Sequence, residues 1–116
     1  MGFFDFMYTG GIKEITVIEA HQRQSEGALL IDIGDIYEWN KAHAEGAIHV
    51  PMASLLNELS KLEKHEIEAS GPIMLICMKG DRTISAAGRL VTAGYEAVSV
   101  HGGTTAWKSA GLPIAK

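Results

Sequence analysis

The sequence predicts an α/β fold with a largely parallel central sheet, and three observations carry that expectation. Continuous apolar runs rich in branched residues recur at "ALLIDIG" (28–34), "PIMLIC" (72–77) and "AVSVHGG" (97–103), as expected of strands covered on both faces. Segments with helical apolar spacing lie between them. Glycine and proline punctuate the joins. Strands alternating with helices argue for a parallel sheet, and ligands in such sheets sit beyond the carboxyl ends of the strands.

Each element follows from local chemistry. The opening "MGFFDFMYTGG" (1–11) is apolar and aromatic but has no basic n-region and no small-residue cleavage site. Phe6 stands where a myristoylation signal needs Ser or Thr, so the segment is expected to be an N-terminal arm packed on the domain or a frayed terminus. "EITVIEAHQRQSEG" (14–27) predicts a short strand and then a helix, with Thr16 and Glu19 at capping-box spacing and Gly27 as its stop. After the strand at 28–34, "DIYEWNKAHAEGAIHVP" (35–51) predicts a short helix or turn, then a strand from Ala47 to Val50 closed by Pro51. "MASLLNELSKLEKHEIEAS" (52–70) carries helical spacing at Leu55, Leu56 and Leu59, with a charged, solvated end.

Following the strand at 72–77, "TISAAGRLVTAGY" (83–95) places Ile84, Ala87, Gly88 and Val91 at i, i+3, i+4 and i+7 of an amphipathic helix ending near Gly94. "TTAWKSAGLPI" (104–114) predicts a final helix stopped by Gly111 and Pro113.

With 116 residues the chain is expected to be one domain, 1–116. A chain of that size buries roughly two-thirds of its unfolded surface and needs no disulfide or metal staple. A net charge of −4 argues against nucleic acid or an anionic membrane surface as partner, and no stretch approaches the ~20 apolar residues of a membrane span. The cytoplasm is the expected compartment. No cysteine or histidine spacing suits a metal, and no cofactor is expected. The five histidines are scattered; His43 in particular is expected to be structural.

The single cysteine, Cys77, ends a buried strand and is followed by a glycine-centred basic segment, "CMKGDRT" (77–83). An unperturbed thiol, with a pKa of about 8.5, is only about 3% thiolate at pH 7. Two features of the segment would favour the thiolate. Gly80 permits backbone angles that turn consecutive N–H groups inward as an anion nest, and the helix beginning near Thr83 adds unsatisfied N–H donors. Arg82 and Lys79 add full charges, offset by one at Asp81. A cation about 5 Å from sulfur at an effective dielectric of about 20 is worth ~3 kcal/mol, against ~0.3–1 kcal/mol for a helix end. The charges outweigh the dipole, provided they face the sulfur.

With these residues in view, the chain resembles the rhodanese-like domain family in its single-domain form. Cys77-Met78-Lys79-Gly80-Asp81-Arg82-Thr83 is similar to that family's active-site loop, C-x-x-G-x-R-[ST]. "LLIDIGDIYEWNKAHAEGAIHVP" is similar to its first signature, with Glu38, His43, Gly46, Ala47 and Pro51. "VSVHGGTTAWKSAGLPI" is similar to its closing segment, with Gly102, Gly103, Trp107, Gly111 and Pro113. The resemblance implies a three-layer α/β fold, a central parallel five-stranded sheet flanked by helices. It also implies sulfurtransferase chemistry: Cys77 takes a sulfane sulfur from a donor such as thiosulfate, holds it as a persulfide, and passes it to cyanide, a small thiol or a sulfur-acceptor protein. Met78, Lys79, Gly80, Asp81, Arg82 and Thr83 would line the donor site, with Arg82 and Lys79 attracting the anion and the Thr83 hydroxyl available as a donor.

Two departures stand out. Asp32-Ile33-Gly34 occupies the place where many members carry Asp-x-Arg, and Ala42-His43 the place of a Gly-His pair. The missing arginine keeps a second class of function in play, a non-catalytic binding or regulatory module. A redox-sensing thiol is a third, and would need a partner thiol because the chain has one cysteine. Phosphatases and arsenate reductases on the same scaffold use C-x5-R, and here only four residues separate Cys77 from Arg82.

Overall fold

The computed structural model describes residues 6–116, with Phe6 and Met7 described by backbone alone. Strands β1 (Phe6–Thr9) and β2 (Ile12–Ile15) form an antiparallel hairpin. Their two-residue turn is Gly10-Gly11, both at positive φ (58° and 82°), the conformation whose twist matches that of a hairpin's strands. The last part of the segment expected to be an arm is therefore an edge strand; residues 1–5 lie outside the described residues.

Helix α1 (Val17–Ser25) starts at Thr16, whose hydroxyl accepts from the Glu19 N–H at 3.0 Å. Then follow β3 (Leu30–Asp32), α2 (Ile36–Lys41), β4 (His43–Ala44) and β5 (Ile48–His49). A 3-10 turn at Met52–Ser54 leads into two short helices, α3 (Leu55–Leu59) and α4 (Lys64–Ile67). The remaining elements are β6 (Ile73–Ile76), α5 (Thr83–Thr92), β7 (Ala97–Val100), α6 (Gly103–Ser109) and β8 (Ile114–Ala115).

The main sheet has the order β1-β2-β7-β6-β3-β5. From β2 to β5 every pairing is parallel, so the five-stranded parallel sheet is present, with β1 added antiparallel on its edge. β4 and β8 pair separately as a two-stranded antiparallel ribbon. They are too short for any periodicity to announce them.

Strand alternation divides the core into two layers. Met74 and Ile76 of β6 join Val17, Ala20 and Trp107 on the α1/α6 face. Ile73 and Leu75 join Leu55, Leu59, Ala86, Ala87 and Leu90 on the α3/α5 face. Cys77 continues the parity of Ile73 and Leu75, so its side chain belongs to the second layer. Among the described residues no helix is long and apolar enough to cross a membrane.

Two helices differ from the spacing-based expectation. The buried stripe of α5 is Thr83, Ala86, Ala87 and Leu90, while Val91 is 48% exposed. The i, i+3, i+4, i+7 template fits both registers, and the one that wins starts on a polar residue. Thr83 tolerates burial because its hydroxyl shares a 2.6 Å hydrogen bond with that of Ser99 on β7. In 52–70, Leu55 and Leu59 are buried but Leu56 and Leu62 are exposed; the helix ends after Leu59, and a second short helix begins at Lys64.

Candidate active site

Cys77 stands one residue beyond the carboxyl end of β6, in the centre of the parallel sheet. The loop 77–82 then climbs to the start of α5, so the geometry of a strand-to-helix turn is imposed on the sulfur. The Gly80 N–H donates to the Cys77 Sγ at 3.2 Å, which is the inward-facing amide the glycine-centred loop predicts. The thiol in turn donates to the Asp81 Oδ1 at 3.6 Å. Its side chain is fully buried.

The loop is seated on the N-terminal end of α6. Cys77 O accepts from the Thr104 N–H at 2.8 Å, and Met78 O accepts from the Thr105 N–H at 3.0 Å and its hydroxyl at 3.1 Å. So close an approach leaves no room for side chains. A Cβ at Gly103 (φ 61°) would overlap the Cys77 carbonyl oxygen and come within 2.8 Å of the Gly80 nitrogen. A Cβ at Gly80 would lie 2.8 Å from the Gly102 nitrogen. The Gly102-Gly103 pair is thus a backbone seat for the cysteine loop.

On the other side stands α2. Asp35 caps it in a reciprocal capping box: the Glu38 N–H donates to Asp35 Oδ1 at 2.8 Å, and the Asp35 N–H donates to Glu38 Oε1 at 3.0 Å. The second oxygen of Glu38 accepts from the Arg82 Nη2 at 2.9 Å. Arg82 is held above the ordinary arginine pKa, first by that hydrogen bond and then by the charges of Glu38, Cys77 and Asp81, against an opposing cost of burial. Its Nε lies 3.8 Å from Asp81 Oδ1, the same oxygen that meets the sulfur.

The remaining loop residues are placed as follows. Lys79 is exposed and Met78 half-buried. The Thr83 hydroxyl is engaged by Ser99 and by the Gly80 carbonyl at 3.4 Å, so it braces the loop from beneath. The Arg82 guanidinium, which feels the charge of Cys77, is partly neutralised by two carboxylates, and the direct donor to the sulfur is a backbone amide.

Behind α2, Asp32 at the end of β3 is buried with its Oδ1 accepting from the Gly34 N–H at 2.8 Å. Burial raises its pKa, against the lowering effect of that N–H and of the neighbouring His49 and His43. Trp39 is stacked between the two imidazoles, with ring centroids 3.4 Å from His43 and 4.8 Å from His49. His43 Nδ1 bonds the Trp39 carbonyl at 2.8 Å and His49 Nε2 the Gly34 carbonyl at 2.7 Å. His43 is buried at 9% exposure. Gly34 leaves open the space between two carboxylates: a Cβ there would lie 3.0 Å from both Asp32 Oδ1 and Glu38 Oε1.

Local sequence misses three of these partners. Glu38 reaches Arg82 across 44 residues, and Thr104 and Thr105 reach the loop across 27. Asp35-x-x-Glu38 is visible as a cap, but nothing in it announces the ion pair.

The family model "Rhodanese-like domain" matches residues 16–110. The thiosulfate sulfurtransferase GlpE of Haemophilus influenzae is 36% identical over 105 residues, covering 88% of this chain and 93% of its own. A rhodanese-related protein from Thermoplasma volcanium superposes with a TM-score of 0.75 at 22% identity, over 88% of this chain and 96% of that one. A rhodanese-like domain protein from Staphylococcus aureus superposes with a TM-score of 0.71 at 25% identity, over 89% and 98%. The family model over residues 16–110 and the 36% identity establish that this chain belongs to the rhodanese-like domain family.

Proposed function

We propose that this protein is a sulfurtransferase that carries a sulfane sulfur on Cys77. The observation that carries the reading is the Gly80 N–H directed at the Cys77 sulfur from 3.2 Å, in a loop whose shape is fixed by α6. A backbone donor so placed stabilises negative charge on sulfur without reorganising during the reaction. The 36% identity to a thiosulfate sulfurtransferase supports the same chemistry.

In the first step the Cys77 thiolate attacks the outer sulfur of thiosulfate. The new S–S bond forms as the donor's S–S bond breaks, and sulfite leaves with the electron pair. In the second step an acceptor, cyanide or a thiolate, attacks the outer sulfur of the persulfide and Cys77 departs as thiolate. This is covalent catalysis in two displacements. Arg82 supplies the charge that draws the dianionic donor. Asp81 occupies the place between sulfur and guanidinium, so the donor enters by displacing its side chain, which is 72% exposed and held there by two long contacts.

The test is thiocyanate formation from thiosulfate and cyanide, with a 32 Da mass gain on the protein, about one sulfur atom, that dithiothreitol removes. Cys77→Ser should lose both signals. Retention of either in that variant, or absence of both in the native protein, would sink the proposal. The complete burial of the sulfur and its bond to Asp81 favour a second reading, a non-catalytic binding module with an inert thiol. Under that reading iodoacetamide would label Cys77 no faster than free cysteine, and thiosulfate would leave the mass unchanged.

A further inference from the structure

The core layer that holds Cys77 contains a serine with no packing reason to be there. On β7, Ala97 belongs to the α3/α5 layer, and strand alternation sends Ser99 to the same side, level with Leu75 of β6. Ser99 is fully buried between Val98 and Val100 in the chain. A branched apolar residue would suit a central strand better, and a buried hydroxyl is costly unless it is bonded. Among the described residues the Ser99 hydroxyl has one hydrogen-bond partner, the Thr83 hydroxyl at 2.6 Å. Glu14, level with Ser99 on β2, directs its oxygens to Thr9 and His101 instead.

The direction of the Ser99–Thr83 bond follows from counting protons, since each hydroxyl has one to give. The Thr83 hydroxyl also lies 3.4 Å from the Gly80 carbonyl oxygen, where only Thr83 can donate. If Thr83 gives its proton to Gly80, Ser99 donates to Thr83 and all three groups are satisfied. If Thr83 gives it to Ser99, the Gly80 carbonyl loses this donor and the buried Ser99 proton has no acceptor among the described residues. Buried polar groups are overwhelmingly satisfied, so the chain runs from Ser99 to Thr83 to Gly80. A hydroxyl that accepts one bond also donates the next more strongly. The chain ends on the residue whose N–H meets the Cys77 sulfur at 3.2 Å.

We propose that Ser99 is a positioning residue for the nucleophile: it fixes the Thr83 hydroxyl as donor to the Gly80 carbonyl, and so keeps the Gly80 amide aimed at the sulfur. A glycine at φ 82° has wide backbone freedom, so its peptide groups keep one orientation only where neighbours hold them. Gly102 closes off one side of Gly80, and the hydroxyl chain holds its carbonyl from beneath. The inference rests on the sulfurtransferase reading for the reaction it serves; its effect on the thiol is measurable without that reaction. A hydroxyl pair that only completed the core would be replaceable, because exchanging both partners for apolar groups of the same shape is nearly neutral. A positioning pair is not replaceable in that way.

The test compares Ser99→Ala and the double variant Thr83→Val/Ser99→Ala with the native protein. Because the chain has one cysteine, thiolate absorbance at about 240 nm, with Cys77→Ser as the blank, reads this thiol alone. Asp81 and Arg82, the charges facing the sulfur, are the same in all three proteins. The thiolate-to-thiol ratio at neutral pH should fall by about 2-fold or more in Ser99→Ala and about 3-fold or more in the double variant, the range of one ordinary hydrogen bond. Loading from thiosulfate should slow by similar factors. The double variant should nevertheless keep a near-native urea midpoint, which also preserves the test where Ser99→Ala is unstable. A native thiolate ratio in the double variant, or in a folded Ser99→Ala protein, overturns the proposal. If the native protein takes no sulfur from thiosulfate while the ratio still falls in the variants, the sulfurtransferase reading fails and Ser99 keeps its role at the thiol.

Discussion

The cysteine loop lies between two supports, α6 and α2, that are made of different material. Against α6 the contact is backbone on backbone: two threonine amides bind the carbonyls of Cys77 and Met78, and Gly103 packs where no side chain fits. Against α2 the contact is between charged ends of side chains, Glu38 and Arg82, with side chains 29% and 37% exposed. The first kind of contact fixes the path of the loop and tolerates no change of volume. The second sets the local charge and adjusts to substitution, because long side chains at a partly wet surface can re-pair. The contrast predicts that lesions on the α6 side destroy the site while lesions on the α2 side retune it.

Gly103→Ala is the severest test. The methyl group would collide with the Cys77 carbonyl at a backbone angle L-residues avoid; the left-handed conformation alone costs about 1–2 kcal/mol, and the displaced loop adds to it. Urea denaturation should show a loss of about 2–4 kcal/mol, and the 32 Da thiosulfate adduct should vanish even where the protein remains folded. A folded Gly103→Ala protein that still loads sulfur at the native rate would dissolve the distinction between the two supports.

On the α2 side the expected effects are smaller and of opposite sign. Asp81 shares one oxygen between the sulfur and Arg82, holding the thiol as donor and covering the guanidinium. Asp81→Asn keeps the shape and removes the charge. An exposed charge contributes about 0–1 kcal/mol, so iodoacetamide labelling of Cys77 should quicken by up to about 5-fold, with a matching drop in KM for thiosulfate. Slower labelling in the variant would show that Asp81 assists the sulfur instead of restraining it.

The contrast also explains what could be read in the sequence. Contiguous features were legible: the buried runs that became β3, β6 and β7, the Thr16 cap of α1, and the C-x-x-G-x-R order that puts a glycine amide on the sulfur. Features made by chain segments far apart were not. The Glu38–Arg82 pair spans 44 residues, and the Gly102-Gly103 signature carried no hint that its function is to admit the Cys77 carbonyl. Register on α5 was lost by one residue because Thr83 is polar yet buried, its hydroxyl satisfied by Ser99. β1 was missed although Gly10-Gly11 between "FMYT" and "IKEI" is a hairpin signal, because aromatic residues at a terminus suit an arm equally well.

The smallest expected effect lies behind α2, at Asp32. Its carboxyl is buried and its pKa raised chiefly by loss of solvent, so the folded state prefers the protonated acid more than the unfolded state does. A raised acid contributes stability that is fully present below its unfolded pKa and lost as pH rises through its folded pKa. At neutral pH the charged form is therefore a net cost to folding, softened by the Gly34 N–H and the nearby imidazoles. Asp32→Asn preserves the acceptor for Gly34 and removes the charge. The variant should be more stable than the native protein at pH 7, and the gap should close as pH falls towards the unfolded carboxyl value of about 3.9, where both proteins are neutral at this position. Urea midpoints at pH 7, 5 and 4 measure it. A variant less stable at pH 7 would mean that His43 and His49 hold a carboxylate there as a counter-charge, which would make the α2 side a structural electrostatic network in its own right and not merely the adjustable support of the loop.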